Sequence, residues 1–83
     1  MTPGFHYVYI LESSIDRKRF YVGLATNLED RLARHNRGDV PHTSKYRPWQ
    51  VKSAIAFRDA DRAAAFERYL KTGSGRAFTK KRL

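Results

Sequence analysis

The chain contains no cysteine, which excludes disulfides, thiolate metal sites, zinc-finger spacings and a cysteine nucleophile. No apolar run approaches about 18 residues, the length a membrane-spanning helix needs. The opening residues show no basic segment followed by an apolar stretch, so secretion is not expected either, and the cytoplasm is the expected location. Internal repeats and low-complexity tracts are absent. Acidic side chains are scarce: eight Asp and Glu stand against seventeen Lys and Arg, a formal charge of +9 on 83 residues. Such an excess on a small surface draws polyanions, and a pI of about 10.4 exceeds what solubility alone requires. Nucleic acid is the leading partner class, and no membrane partner is expected.

The hydrophobic content, 41%, argues for a folded globule rather than a disordered chain. The length suits one domain over residues 1–83, with no room for a catalytic domain plus a separate recognition domain.

The densest information lies between Tyr7 and His35. Tyr7-Val8-Tyr9-Ile10-Leu11 is β-branched and aromatic, as is the shorter Phe20-Tyr21-Val22-Gly23, and a polar connector joins them in what reads as an antiparallel hairpin. The first strand is apolar on both faces, which predicts a central strand. Thr26-Asn27-Leu28-Glu29 reads as a capping box opening a helix that runs to Arg37 and stops at Gly38. At about 100° per residue from Leu28, Leu32 falls at about 40°, His35 at about −20° and Arg31 at about −60°. Arg31 and His35 therefore share the apolar face, where a solvated charged surface does not explain them.

Residues 38–48 carry Gly, two Pro, hydroxyls and cations without periodicity and read as an exposed loop, equally suited to contacting substrate or to plain solvation. Trp49, Val51, Ser53, Ile55 and Phe57 alternate with smaller or more polar residues, a third strand with one bulky face. Trp49 is expected in the core or at the sheet end. Asp59 or Asp61 caps a second helix ending at Lys71, with Gly73 as its stop. On that helix Ala63, Phe66 and Leu70 form the apolar stripe, and Glu67 lies about 40° from Ala63, beside it. An inward carboxylate needs a partner. A salt bridge, with Arg31 as a candidate, and a divalent cation are the two readings. Residues 72–75 read as a flexible joint leading to a basic end anchored by Phe78.

This pattern resembles the GIY-YIG nucleases. Tyr7-Val8-Tyr9 matches the first signature triplet, with Tyr7 where the family has glycine, and Tyr21-Val22-Gly23 matches the second. Arg31 matches the helix arginine, His35 a histidine one turn later and Glu67 the metal-binding glutamate. No asparagine follows Asn36, although several members place a functional one late in the module. The resemblance implies an α+β fold, a three-stranded antiparallel sheet in ββαβα order plus a short C-terminal helix, with the site on one sheet face. It implies a metal-dependent DNA endonuclease in which Glu67 holds Mg²⁺ or Mn²⁺ and Arg31 clamps the phosphate. Tyr9 or Tyr21 activates the water, with Tyr9 slightly preferred as base and His35 as a proton acceptor.

Phosphate contacts are expected from Arg17, Lys18 and Arg19 in the connector, from Lys45 and Arg47 in the loop, and from Arg76, Lys80, Lys81 and Arg82 at the end. DNA is the expected substrate, with RNA as the variant. Neither helix is free to read a major groove, so selectivity for distorted or branched DNA is expected over base sequence, with a role in repair or recombination, or else targeting by a protein partner. The competing readings are a non-catalytic nucleic-acid-binding module and a basic structural protein of a ribonucleoprotein particle.

Overall fold

A strand with apolar side chains on both faces is stable only between two layers, and β1 (His6–Ser13) occupies that position. It lies between β2 (Phe20–Ala25) and β3 (Trp49–Phe57) in a three-stranded antiparallel sheet ordered β2-β1-β3. The computed structural model describes residues 4–83; residues 1–3, read above for a leader, lie outside the described residues. α1 (Leu28–Arg37) follows β2, a short 3-10 turn (Ser44–Tyr46) precedes β3, and α2 (Ala60–Leu70) and α3 (Gly73–Arg82) close the chain. The fold is α+β in ββαβαα order. Among the described residues no helix is long and apolar enough to cross a membrane.

The two faces of β1 build two cores. Val8 and Ile10 pack with Ala63 and Leu70 of α2, and Phe66 and Phe78 close around them. Tyr9 and Leu11, on the opposite face, pack with Trp49, Leu28 and Leu32. Phe78 is thus the anchor of α3, as its place in the basic tail suggests. Each fully buried aliphatic side chain of this kind contributes about 1.5–3 kcal/mol.

β3 does not present one bulky face. The register between β1 and β3 shifts between Ile10 and Leu11, a bulge that reverses the phase of the strand. Trp49 therefore joins the α1-side core while Phe57 joins the α2-side core, and Val51 is left 37% exposed. Strict alternation across nine residues hides such a shift, because one extra residue leaves both half-patterns intact.

Three helix boundaries differ from expectation for local reasons. The N-cap of α1 is Asn27, not Thr26: its backbone is extended and its side chain accepts from the Asp30 N–H at 3.0 Å. Gly38 does end α1, at φ 84°. Asp59 caps α2, but Gly73 does not stop it. Thr72 instead caps α3 by accepting from the Gly75 N–H at 3.1 Å, so residues 72–75 form the opening turn of a ten-residue helix and not a flexible joint. Gly75 lies against the backbone of Tyr69 and Leu70, where a Cβ has no space. The tight α2–α3 corner is the reason for that glycine.

Candidate active site

Tyr9 of β1 stands opposite Gly23 of β2 in the sheet register. A Cβ at Gly23 would meet the Tyr9 ring carbon Cζ and the phenol oxygen, so the ring lies across the edge strand in the space the glycine leaves. Tyr21 shares the face, its ring 6.3 Å from that of Tyr9, and His35 of α1 packs on Tyr21 at 4.7 Å between centroids. Replacing Gly23 by alanine displaces the Tyr9 phenol. The expected result is a folded protein whose thermal midpoint falls by several degrees, as measured by differential scanning fluorimetry.

The hydrogen bonds around His35 have a single direction. Thr43 Oγ1 lies 3.2 Å from the Val40 carbonyl oxygen and 2.8 Å from His35 Nδ1. A carbonyl only accepts, so the single hydroxyl proton of Thr43 goes to Val40 and its oxygen accepts from Nδ1–H. Nε2 then carries the lone pair and accepts from the Tyr9 hydroxyl at 3.2 Å. Arg31 in turn hydrogen-bonds the Tyr9 oxygen. The result is a chain running from Arg31 through Tyr9, His35 and Thr43 to the Val40 carbonyl.

Burial sets the protonation states along it. Tyr9 is fully excluded from solvent; burial first, and then the neighbouring Tyr21, push its pKa up to about 12, against the opposing charge and hydrogen bond of Arg31. His35, 1% exposed, is lowered by burial and then by Arg31 and Arg34. Tyr9 keeps its proton and His35 stays neutral.

Thr43 and Asn36 are the residues that sequence reasoning missed. Thr43 is 1% exposed although it sits in a segment read as an exposed loop. The Trp49 indole N–H donates to its carbonyl at 2.8 Å. Asn36 brackets the Trp49 backbone, accepting from its N–H at 2.6 Å and donating to its carbonyl at 3.1 Å. The available signal was the Asn36 side chain directly after His35, on a helix that otherwise ends in cations.

Glu67 belongs to the helix on the other face, so the groups do not share one sheet face as expected. Its charge is nonetheless felt at Tyr9, because β2 is the outer strand and the Tyr9 ring lies across it. Its ion-pair partner is Lys71 at 2.7 Å, not Arg31. One helical turn separates the two, whereas Arg31 is engaged on the opposite layer. Among the described residues no cluster of three or more His, Asp or Glu is placed to hold a metal. A hard divalent cation still fits Glu67: the carboxylate side chain is 17% exposed and already holds one positive charge. A single carboxylate completed by water suits magnesium.

The expected phosphate contacts divide. Arg17, Lys18, Arg19, Arg76 and Lys80 line one groove of about 920 Å³, joined there by Lys52 and Lys71, which the sequence did not single out. Lys45, Arg47, Lys81 and Arg82 stay outside it. Arg47 lies against Gly38 at the end of α1, while Lys81 and Arg82 sit in the last turn of α3.

The sequence matches the GIY-YIG catalytic domain over residues 5–82. It is also 38% identical over 71 residues to the structure-specific endonuclease subunit SLX1 of Chaetomium globosum, a match covering 78% of this chain and 22% of that protein. The chain thus spans about a fifth of that relative's length.

Proposed function

The chain belongs to the GIY-YIG family of nucleases, and from that premise we propose that it is a divalent-cation-dependent endonuclease that hydrolyses DNA phosphodiester bonds, directed by DNA structure rather than base sequence. The observation that carries this reading is the hydrogen-bonded chain from the Val40 carbonyl to Arg31, which holds a guanidinium at the sheet edge where the charge of Glu67 is also felt.

In-line hydrolysis places a water opposite the leaving oxygen, forms a new P–O bond, breaks the old one and develops negative charge on the phosphate oxygens. Arg31, oriented by Tyr9, donates to those oxygens and stabilises the charge. Tyr21 takes the water's proton as its phenolate, its own proton having left to solvent through the open groove, and the leaving oxygen takes a proton from solvent. This reverses the preference for Tyr9: that ring is shut off from solvent and its pKa is raised to about 12, whereas Tyr21 is half-buried and lines the open groove. His35, equally buried, acts as a positioning residue that accepts the hydrogen bond of the Tyr9 hydroxyl and so turns the phenol oxygen toward Arg31. Glu67 would hold the cation, Mg²⁺ or Mn²⁺, which when bound would supply Lewis-acid polarisation of the phosphate. Lys71 must release Glu67 for this, and it lines the groove where a phosphate would take it.

Supercoiled plasmid incubated with the protein is expected to be nicked with Mg²⁺ or Mn²⁺ and left intact with EDTA. Branched and flapped duplexes are expected to be cut faster than plain duplex. Binding without nicking on every form would leave the non-catalytic nucleic-acid-binding module as the function. The similar protein from Chaetomium globosum is named a subunit, which supports a protein partner as a second source of targeting; activity appearing only when cell extract is added identifies that case.

A further inference from the structure

The groove beside the active site has a composition of its own. Seven cations line it, Arg17, Lys18, Arg19, Lys52, Lys71, Arg76 and Lys80, and no carboxylate does. Three of them are paired with acids at the rim, Arg17 with Glu12, Arg19 with Asp16 and Lys71 with Glu67. The groove stays strongly positive after that pairing. Phe20 also lines it and is 47% exposed, at the start of an edge strand where an apolar side chain gains little by pointing to solvent. The Lys52 ammonium lies over its ring at 4.8 Å. Tyr21, the next residue, belongs both to this groove and to the active site.

We propose that this groove is a binding site for an unpaired DNA strand continuous with the scissile phosphate, with Phe20 as a stacking platform for one unpaired base. The proposal rests on the nuclease reading above and adds what the enzyme recognises. Grooves that hold single strands combine cations along the backbone with aromatic faces for the bases. A duplex offers its phosphates to the cations but keeps its bases stacked inside, so Phe20 has a partner only when the strand is unpaired. Lys52 covers the ring until a base takes that face, then moves to the adjoining phosphate. Occupancy by a strand also brings a phosphate to Lys71, which frees Glu67. Preference for branched substrates then follows from a strand that leaves the duplex at the cleavage site.

The test is binding in EDTA, which separates it from cleavage: failure to nick plasmid overturns the nuclease reading, whereas the groove is judged on affinities alone. A fluorescent thymidine 20-mer and a blunt 20-base-pair duplex are titrated by anisotropy at several salt concentrations. Wild-type protein is expected to bind the single strand at least tenfold more tightly, with a steep salt dependence. Phe20→Ala and the double change Lys52→Glu with Lys80→Glu are each expected to weaken single-strand binding at least tenfold. Arg62→Glu, exposed on α2 outside the groove, is expected to weaken it no more than twofold. Circular dichroism and thermal midpoints establish that the variants fold. Equal affinity for duplex and single strand, or equal losses inside and outside the groove, overturns the proposal.

Discussion

Glu67→Gln and Arg31→Ala are each expected to lower the cleavage rate by more than about a hundredfold, the scale expected when one preorganised charged group leaves an active site. The two losses have different signatures. Glutamine keeps the shape of Glu67 but not its charge, so the cation affinity falls along with the rate. Isothermal titration of Mn²⁺ in the presence of uncleavable oligonucleotide reads this independently of turnover. The fold tolerates the change, because the ion pair with Lys71 is an i,i+4 pair whose lysine is 54% exposed, a type that contributes about 0.3–0.5 kcal/mol. Arg31→Ala removes the proposed phosphate clamp and leaves the proposed Glu67 site intact, so the rate is expected to fall without loss of cation affinity. Normal nicking by Glu67→Gln would make Glu67 an ordinary surface ion-pair partner.

Tyr21→Phe is expected to be the more damaging of the two phenol changes, with a loss of a hundredfold or more against about tenfold for Tyr9→Phe. In the proposed mechanism Tyr21 faces the reacting water, whereas Tyr9 acts through Arg31. Single-turnover rates rank them, and the opposite order returns the base role to Tyr9. The pH profile separates the roles further. The chain through Tyr9 holds only while His35 is neutral, so the acid limb of kcat/KM lies below the ordinary histidine value of 6.5. Stability follows the same group. A lowered pKa means the unfolded chain binds the proton more readily, so the contribution of His35 is complete above about pH 6.5 and is lost as pH falls toward the folded value. Tyr9 has the opposite sign: its raised pKa contributes below about pH 10, a contribution lost as pH rises toward about 12.

The central strand, the two following elements and the inward placement of Arg31, His35 and Glu67 were legible in the amino-acid sequence. Strand and helix periods are local properties, and a charged residue on an apolar stripe needs only its neighbours to be recognised. The β3 bulge was not legible, because the two half-patterns of Trp49 and Phe57 are each regular. The cap at Asn27 and the capping role of Thr72 were misread by one or two residues, where several hydroxyl and amide side chains compete for the same N–H groups.

What the sequence by itself determined is which residues face inward: five chemically demanding side chains on four elements, and an excess of positive charge with nowhere to hide. Only the tertiary structure decided which of them meet. The glycine at position 23 mattered because a tyrosine on another strand lies in its place, Glu67 reached the site from the far sheet face, and five of nine expected phosphate contacts converged on one groove while four did not. The solvent exclusion that separates Tyr9 from Tyr21 is of the same kind. Each depends on distances between residues remote in the chain, set by sheet order and helix packing, and local pattern contains no term for those.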